Sequence, residues 1–168
     1  MGATRAILLT STTYGAWMRG DRRGWVDDGV ICPPDPEVEA ADRARMKHPP
    51  FRFDRANLLD VGVMIGESLV SRLNLTLLAM TVQTWHVHVV IPATPHDVSD
   101  VVKCLKDAVR YGLRIGQPIW TDGFDTRFCF DDITAANRVL YVLRHNEAMG
   151  WGLIPTMWAR FINAREPI

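Results

Sequence analysis

The sequence carries no surplus of charge of either sign: 19 Lys and Arg stand against 19 Asp and Glu in 168 residues. A chain without a global basic field does not hold nucleic acid by its net charge, so any such contact must come from a local patch. Cysteine is scarce. Cys32, Cys104 and Cys129 are odd in number and widely spaced, with no Cys-x-x-Cys, which fits reduced thiols that serve as packing residues in a reducing compartment. Long apolar runs are missing too: the first apolar segment, Ala6 to Leu9, is broken at once by Thr and Ser, and no later run reaches membrane-spanning length without a charge. These absences predict a soluble, cytoplasmic protein. No repeat or low-complexity tract divides the chain, and its length is that of a single domain, 1–168, large enough to bury a full core.

What is present is organised around Trp85-His86-Val87-His88-Val89-Val90-Ile91. In a β-strand successive side chains point to opposite faces, so His86 and His88 share one face while Val87, Val89 and Ile91 share the other. Two imidazoles about 6–7 Å apart along a strand can converge on one divalent cation if a third ligand comes from elsewhere. The alternative is a pair of half-buried histidines hydrogen-bonded to their neighbours.

Around this strand the pattern predicts strands over Thr4 to Thr13, Leu75 to Val82 and Thr126 to Asp131, with the first central and beside the histidine strand. Helices are predicted over Leu58 to Leu73, stopped at Asn74; over Val98 to Ile115, with Asp97 as N-cap; and over Ile133 to Met149, ended by Gly150. Residues 15–50, rich in Gly, Pro, Asp and Arg, read as a loop-rich insertion with at most a helical turn through Glu37 to Arg45. The order suggests a ferredoxin-like (RRM-like) α+β fold, an antiparallel sheet with two helices on one face and an additional C-terminal helix.

On that last helix Thr134, Arg138, Tyr141, His145 and Ala148 fall on one face, and Ile133, Ala136, Leu140 and Leu143 on another, which reads as the core stripe. If the helix crosses the open face of the sheet, His145 becomes a third ligand for His86 and His88, and Tyr141 stands beside it as a nucleophile. Tyr111, with Arg110 and Arg114 nearby, is a competing nucleophile without a ligand one turn away. Tyr14 reads as structural. Lys103, Lys106, Arg110 and Arg114 on the second helix, Arg19, Arg22 and Arg23 in the insertion, and Arg138 and Arg144 on the last helix are candidate backbone contacts, with Trp17, Trp25 and Trp85 as base-stacking candidates. The bland alternative for the charges is a solvated helix face, and for the tryptophans core or loop packing.

The His-hydrophobic-His strand, the helix carrying Tyr141 and a ligand four residues on, and the segment Thr13-Tyr14-Gly15-Ala16-Trp17-Met18-Arg19-Gly20-Asp21 resemble the single-tyrosine HUH transposases acting on single-stranded DNA (transposase IS200-like), closest to the REP-associated tyrosine transposase branch. His48-Pro49, the helix around Lys103 and Lys106, and Trp120-Thr121-Asp122-Gly123 add to the likeness, which spans roughly Leu8 to Trp151. The family often has Asn before the first histidine, where Trp85 stands here. The resemblance implies a magnesium or manganese ion held by His86, His88 and His145, and Tyr141 as nucleophile. It also implies a 5′-phosphotyrosine intermediate that allows cleavage and rejoining, a single-stranded and hairpin-containing DNA partner, a homodimer, and no nucleotide cofactor. Two other readings stay open: a non-cutting, domesticated nucleic-acid-binding protein on the same fold, and a small metal-dependent phosphodiesterase in which Tyr141 is packing.

Overall fold

The β-branched and apolar residues after Arg5 form strand β1, Ala6–Thr12, and its extended backbone is paired on both sides. A computed structural model describes residues 2–163. Downstream come a short hairpin of β2 (Trp25–Asp27) and β3 (Val30–Cys32), helix α1 (Pro36–Arg45), helix α2 (Leu58–Leu73) and strands β4 (Ala79–Val82) and β5 (His86–Pro92). Helix α3 (Val98–Leu113), strand β6 (Asp125–Cys129) and helix α4 (Asp132–Ala148) complete the set. The main sheet has the order β4-β5-β1-β6 and every pairing in it is antiparallel. With the β2–β3 hairpin and α1 set aside as the insertion, the path is βαββαβ followed by a helix, so the expected ferredoxin-like α+β fold is the observed one, with β1 central beside the histidine strand.

The two faces of the sheet pack differently. Ile7 and Leu9 of β1 and Val87, Val89 and Ile91 of β5 meet the apolar stripes of α2 (Leu58, Val61, Ile65, Leu69) and α3 (Val101, Val102, Leu105, Val109). Each such side chain, fully buried, contributes about 1.5–3 kcal/mol relative to exposure. Helix α2 stops where predicted, because Asn74 adopts the left-handed conformation (φ 51°) that closes a helix C-terminus. Trp158 seals this core from the C-terminal side, its indole N–H donating to Leu59 O at 2.9 Å and its ring seated on Gly62. Among the described residues no helix is long and apolar enough to cross a membrane.

Two expectations are corrected. The segment expected to form at most a turn over Glu37 to Arg45 lies in a full ten-residue helix, Pro36–Arg45: Asp35 accepts from the backbone of Glu37 and Val38, Pro36 occupies the first position, and Glu39 pairs with Arg43 one turn on. The preceding stretch also holds the β2–β3 hairpin, whose two-residue turn Asp28-Gly29 has positive φ at both positions (50° and 80°). The second correction concerns α4. Of its expected core stripe only Leu143 is buried; Ala136 is exposed, and Ile133 and Leu140 are 76% and 40% exposed. The buried face is Ala135, Val142 and Asn146, with Val139 packed beside them, because the helix turns its Tyr141–His145 edge toward the polar end of the sheet.

Candidate active site

Residues directly opposite in antiparallel strands share a face, so the register sets Thr81, His88, Thr10 and Asp125 in one row across all four strands, with His86 and Thr12 in the next. On the same face but further along, the rows turn apolar except at the β6 edge: Ala79, Val90 and Leu8 with the exposed Arg127, then Ala6 with Cys129. Helix α4 lies across this change of polarity. Ala135, Val142 and Leu143 anchor it on the apolar rows. The Asn146 amide, fully buried, donates to Met80 O and Leu153 O, both at 2.9 Å, and ties the end of the helix to β4 and to the segment after it.

This docking brings His145 to the strand histidines, with ring centroids 6.0 Å from His86 and 5.6 Å from His88. His86 and His88 are themselves 4.6 Å apart. One potential ligand atom from each of the three lies within 4.8 Å of the other two. Thr10 Oγ1 bonds His88 Nδ1 at 2.8 Å, which fixes that ring and leaves its Nε2 free, and Gln83 donates to the neighbouring Thr81 hydroxyl. Buried His86 Nδ1 and His145 Nε2 have no hydrogen-bond partner among the described residues. Orphaned buried nitrogens are costly unless something accepts or coordinates them, so the donor set fits a metal ion.

The electrostatics point the same way. Burial, then the neighbouring His88, His145 and Arg23, push the His86 imidazole down to about 3. Burial and His145 push His88 down to about 4 against the opposing pull of Asp125. Burial also lowers His145. At neutral pH all three rings are therefore unprotonated, the form that ligates a cation.

Tyr141 stands in the same group and the same chain, its ring 4.9 Å from His145 and 5.7 Å from His88, with 46% of its surface exposed. It lines a pocket of about 300 Å³ with Asn137, Leu140, Arg144 and His145. Arg138 sits half-buried where its charge reaches Cys129.

The other candidate residues are dispersed. Helix α3 packs on the opposite side of the sheet from the histidines, so Lys103, Lys106, Arg110 and Arg114 lie across the core from the site, as does Tyr111. Lys106 is half-buried and donates to Thr121 O and Gly123 O, and Lys103 pairs with Asp107 at 2.7 Å. Arg110 and Arg114 both bond Tyr111. Tyr14 packs against the core, as its structural reading required, and the Trp25 indole donates to Pro33 O. In the insertion Arg19 forms a two-pronged pair with Asp42, Arg22 is exposed, and Arg23 lies over the rings of Trp17 and Trp85, the latter next to His86. Thr10, Thr81, Gln83 and Asp125 escaped the sequence reading. Only the strand register reveals them, since no spacing within one strand says what lies opposite.

No family model and no curated protein matches the sequence. Among solved structures, the chain is similar to a REP-associated tyrosine transposase bound to a REP hairpin, with 12% identity and a TM-score of 0.49 over 95% of this chain and 77% of that one. It is also similar to a protein from Deinococcus radiodurans R1 given as a transposase, with 18% identity and a TM-score of 0.43 over 88% of this chain and 92% of that one. Both are likenesses of fold.

Proposed function

We propose that the protein is a metal-dependent single-stranded DNA transposase or endonuclease that cleaves and rejoins DNA through a 5′-phosphotyrosine link. The observation that carries this is a half-exposed phenol, Tyr141, set against three neutral imidazoles that each bring a nitrogen within 4.8 Å of the other two. His86, His88 and His145 would hold the cation. An all-imidazole donor set favours a transition metal such as manganese over magnesium, which prefers oxygen donors. When bound, such an ion polarises a phosphate and offsets the charge that develops on it.

Tyr141 Oη attacks the phosphorus, the bond to the 3′ oxygen breaks, and the phenolic proton is balanced by the proton gained on the released 3′-hydroxyl. The phosphodiester bond count is unchanged, so a second 3′-hydroxyl can reverse the step and join strands without a nucleotide cofactor. Thr10 and Asn146 orient the group, one through His88 and one by fixing the helix that carries Tyr141 and His145. Arg144 at the pocket rim offers a cation to the strand. Assembly as a homodimer belongs to the same reading, with light scattering as its test.

The experiment is incubation with manganese and labelled single-stranded DNAs, hairpin-forming ones included, followed by denaturing electrophoresis. A protein–DNA adduct that disappears in Tyr141→Phe and in His86→Ala is expected. Strand scission that persists in Tyr141→Phe without adduct would move the assignment to a hydrolytic phosphodiesterase, and binding without scission to a non-cutting binder.

A further inference from the structure

The loop between β1 and β2 is built around one cation. Arg23 Nε and Nη2 donate to the two oxygens of the nearly buried Asp21 carboxylate at 2.7 Å each, and Nη2 also donates to Ala16 O at 2.9 Å. The guanidinium carbon lies 4.6 Å from the Trp17 ring centre and 4.7 Å from that of Trp85. Trp17 is pinned in turn by its indole N–H on Gly24 O, yet 42% of it is exposed. Among the described residues nothing accepts from Arg23 Nη1. The assembly adjoins the histidine cluster, because Trp85 packs on His86 with ring centroids 4.1 Å apart.

A guanidinium so fixed, with one nitrogen unspent beside a part-exposed indole that also packs edge-on against Trp85 (ring centroids 5.8 Å apart), matches a phosphate and the base attached to it. We propose that Arg23, Trp17 and Trp85 form a nucleotide subsite next to the three-histidine cluster, in which Arg23 takes a backbone phosphate and Trp17 stacks the adjoining unpaired base. The subsite rests on the single-stranded substrate proposed above and adds to it a reason for strand selectivity. A base held in a duplex cannot offer its face to Trp17, so only an unpaired one completes the contact. Asp21 is a positioning residue: it spends two of the guanidinium's nitrogens to aim the third. The ordinary lysine substitute would keep the charge and lose the planar fork.

The test is binding, in a Tyr141→Phe background so that cleavage plays no part. Fluorescence anisotropy compares labelled oligothymidylate with an abasic strand of the same length and with duplex. The unaltered subsite is expected to favour oligothymidylate over the abasic strand by about tenfold, the worth of one stacked base. Trp17→Ala should abolish that ratio while affinity for the abasic strand stays. Arg23→Ala should weaken both strands, and Arg23→Lys should not restore them. A role in loop packing alone would lower the thermal midpoint of these variants and leave the ratio intact, and that result overturns the proposal, as does equal binding of base-bearing and abasic strands by the unaltered subsite. Failure of the cleavage reading would instead show as no adduct from the protein that keeps Tyr141, with the base-to-abasic ratio preserved.

Discussion

The buried histidines make the stability of the metal-free protein depend on pH in a window that few other groups share. His86 and His88 are held neutral in the fold, at about 3 and about 4, whereas in the unfolded chain they titrate near their ordinary value of 6.5. Above 6.5 neither state binds the proton and the groups contribute nothing to the pH dependence. As the pH falls below 6.5 the unfolded chain takes up protons that the fold refuses, and stability is lost by about 1.4 kcal/mol per pH unit for each ring. Two rings over about one and a half units give roughly 4 kcal/mol between pH 8 and pH 5, a large part of the 5–15 kcal/mol of an ordinary domain. The carboxylates of Asp21, Asp42 and Asp131 are held low, so what they contribute is lost only as the pH drops through the usual carboxylate range, below this window. Urea denaturation at pH 8, 6.5 and 5 in the presence of a chelator measures the effect. The double variant His86→Gln/His88→Gln is expected to be less stable at pH 8 but to lose much less on going to pH 5. Parallel pH profiles for the two proteins would refute the reasoning.

Three further outcomes follow from contacts already described. Saturating manganese should raise the unfolding free energy of the wild type in urea, by about 2.7 kcal/mol at a hundred times the dissociation constant, and leave His145→Ala unmoved; a calorimetric titration checks the same point. Asn146→Ala leaves the buried Met80 carbonyl and the part-buried Leu153 carbonyl without their donor and should cost about 1–3 kcal/mol in denaturant unfolding while weakening metal binding through the loosened α4. Gly62→Ala places a methyl into the Trp158 ring and should cost about 1–3 kcal/mol or more by the same measurement, with metal affinity unchanged because this contact lies on the other face of the sheet.

How far the sequence reveals this molecule depends on whether a feature is local. His86 and His88 share a face because a strand alternates, and Val87, Val89 and Ile91 pack opposite for the same reason, so that division needed no tertiary information. Tyr141 and His145 are one turn apart on any helix. The buried stripe of α4 was not legible: Ile133 and Leu140 are larger and more apolar than Ala135 and Asn146, yet the latter pair is buried. What decided the rotation was the partner surface, a sheet whose far rows are apolar and whose near rows are polar. The hairpin at Asp28-Gly29 did leave a signal, the Asp-Gly turn, but three-residue strands are too short for alternation to show.

The division of labour between the two sheet faces explains why a site of this kind can exist in a chain whose cysteines are all free. The face toward α2 and α3 carries the larger, unbroken apolar cluster, so the opposite face is free to give up hydrophobic contact along two of its rows. Burying Thr81, His86 and His88 there is costly for an isolated group, and the cost is offset only in part, by the Thr10–His88 and Gln83–Thr81 hydrogen bonds. The nitrogens left over on His86 and His145, with the amide oxygen of Asn146, are the uncompensated remainder among the described residues. A cation bound there would supply the missing partner, which makes metal binding and the final settling of α4 on the sheet one event. The same metal titration that measures affinity should therefore also slow amide exchange in the last two turns of α4, around Tyr141 and His145, and leave α2 unaffected; uniform protection across both helices would argue that the ion acts elsewhere.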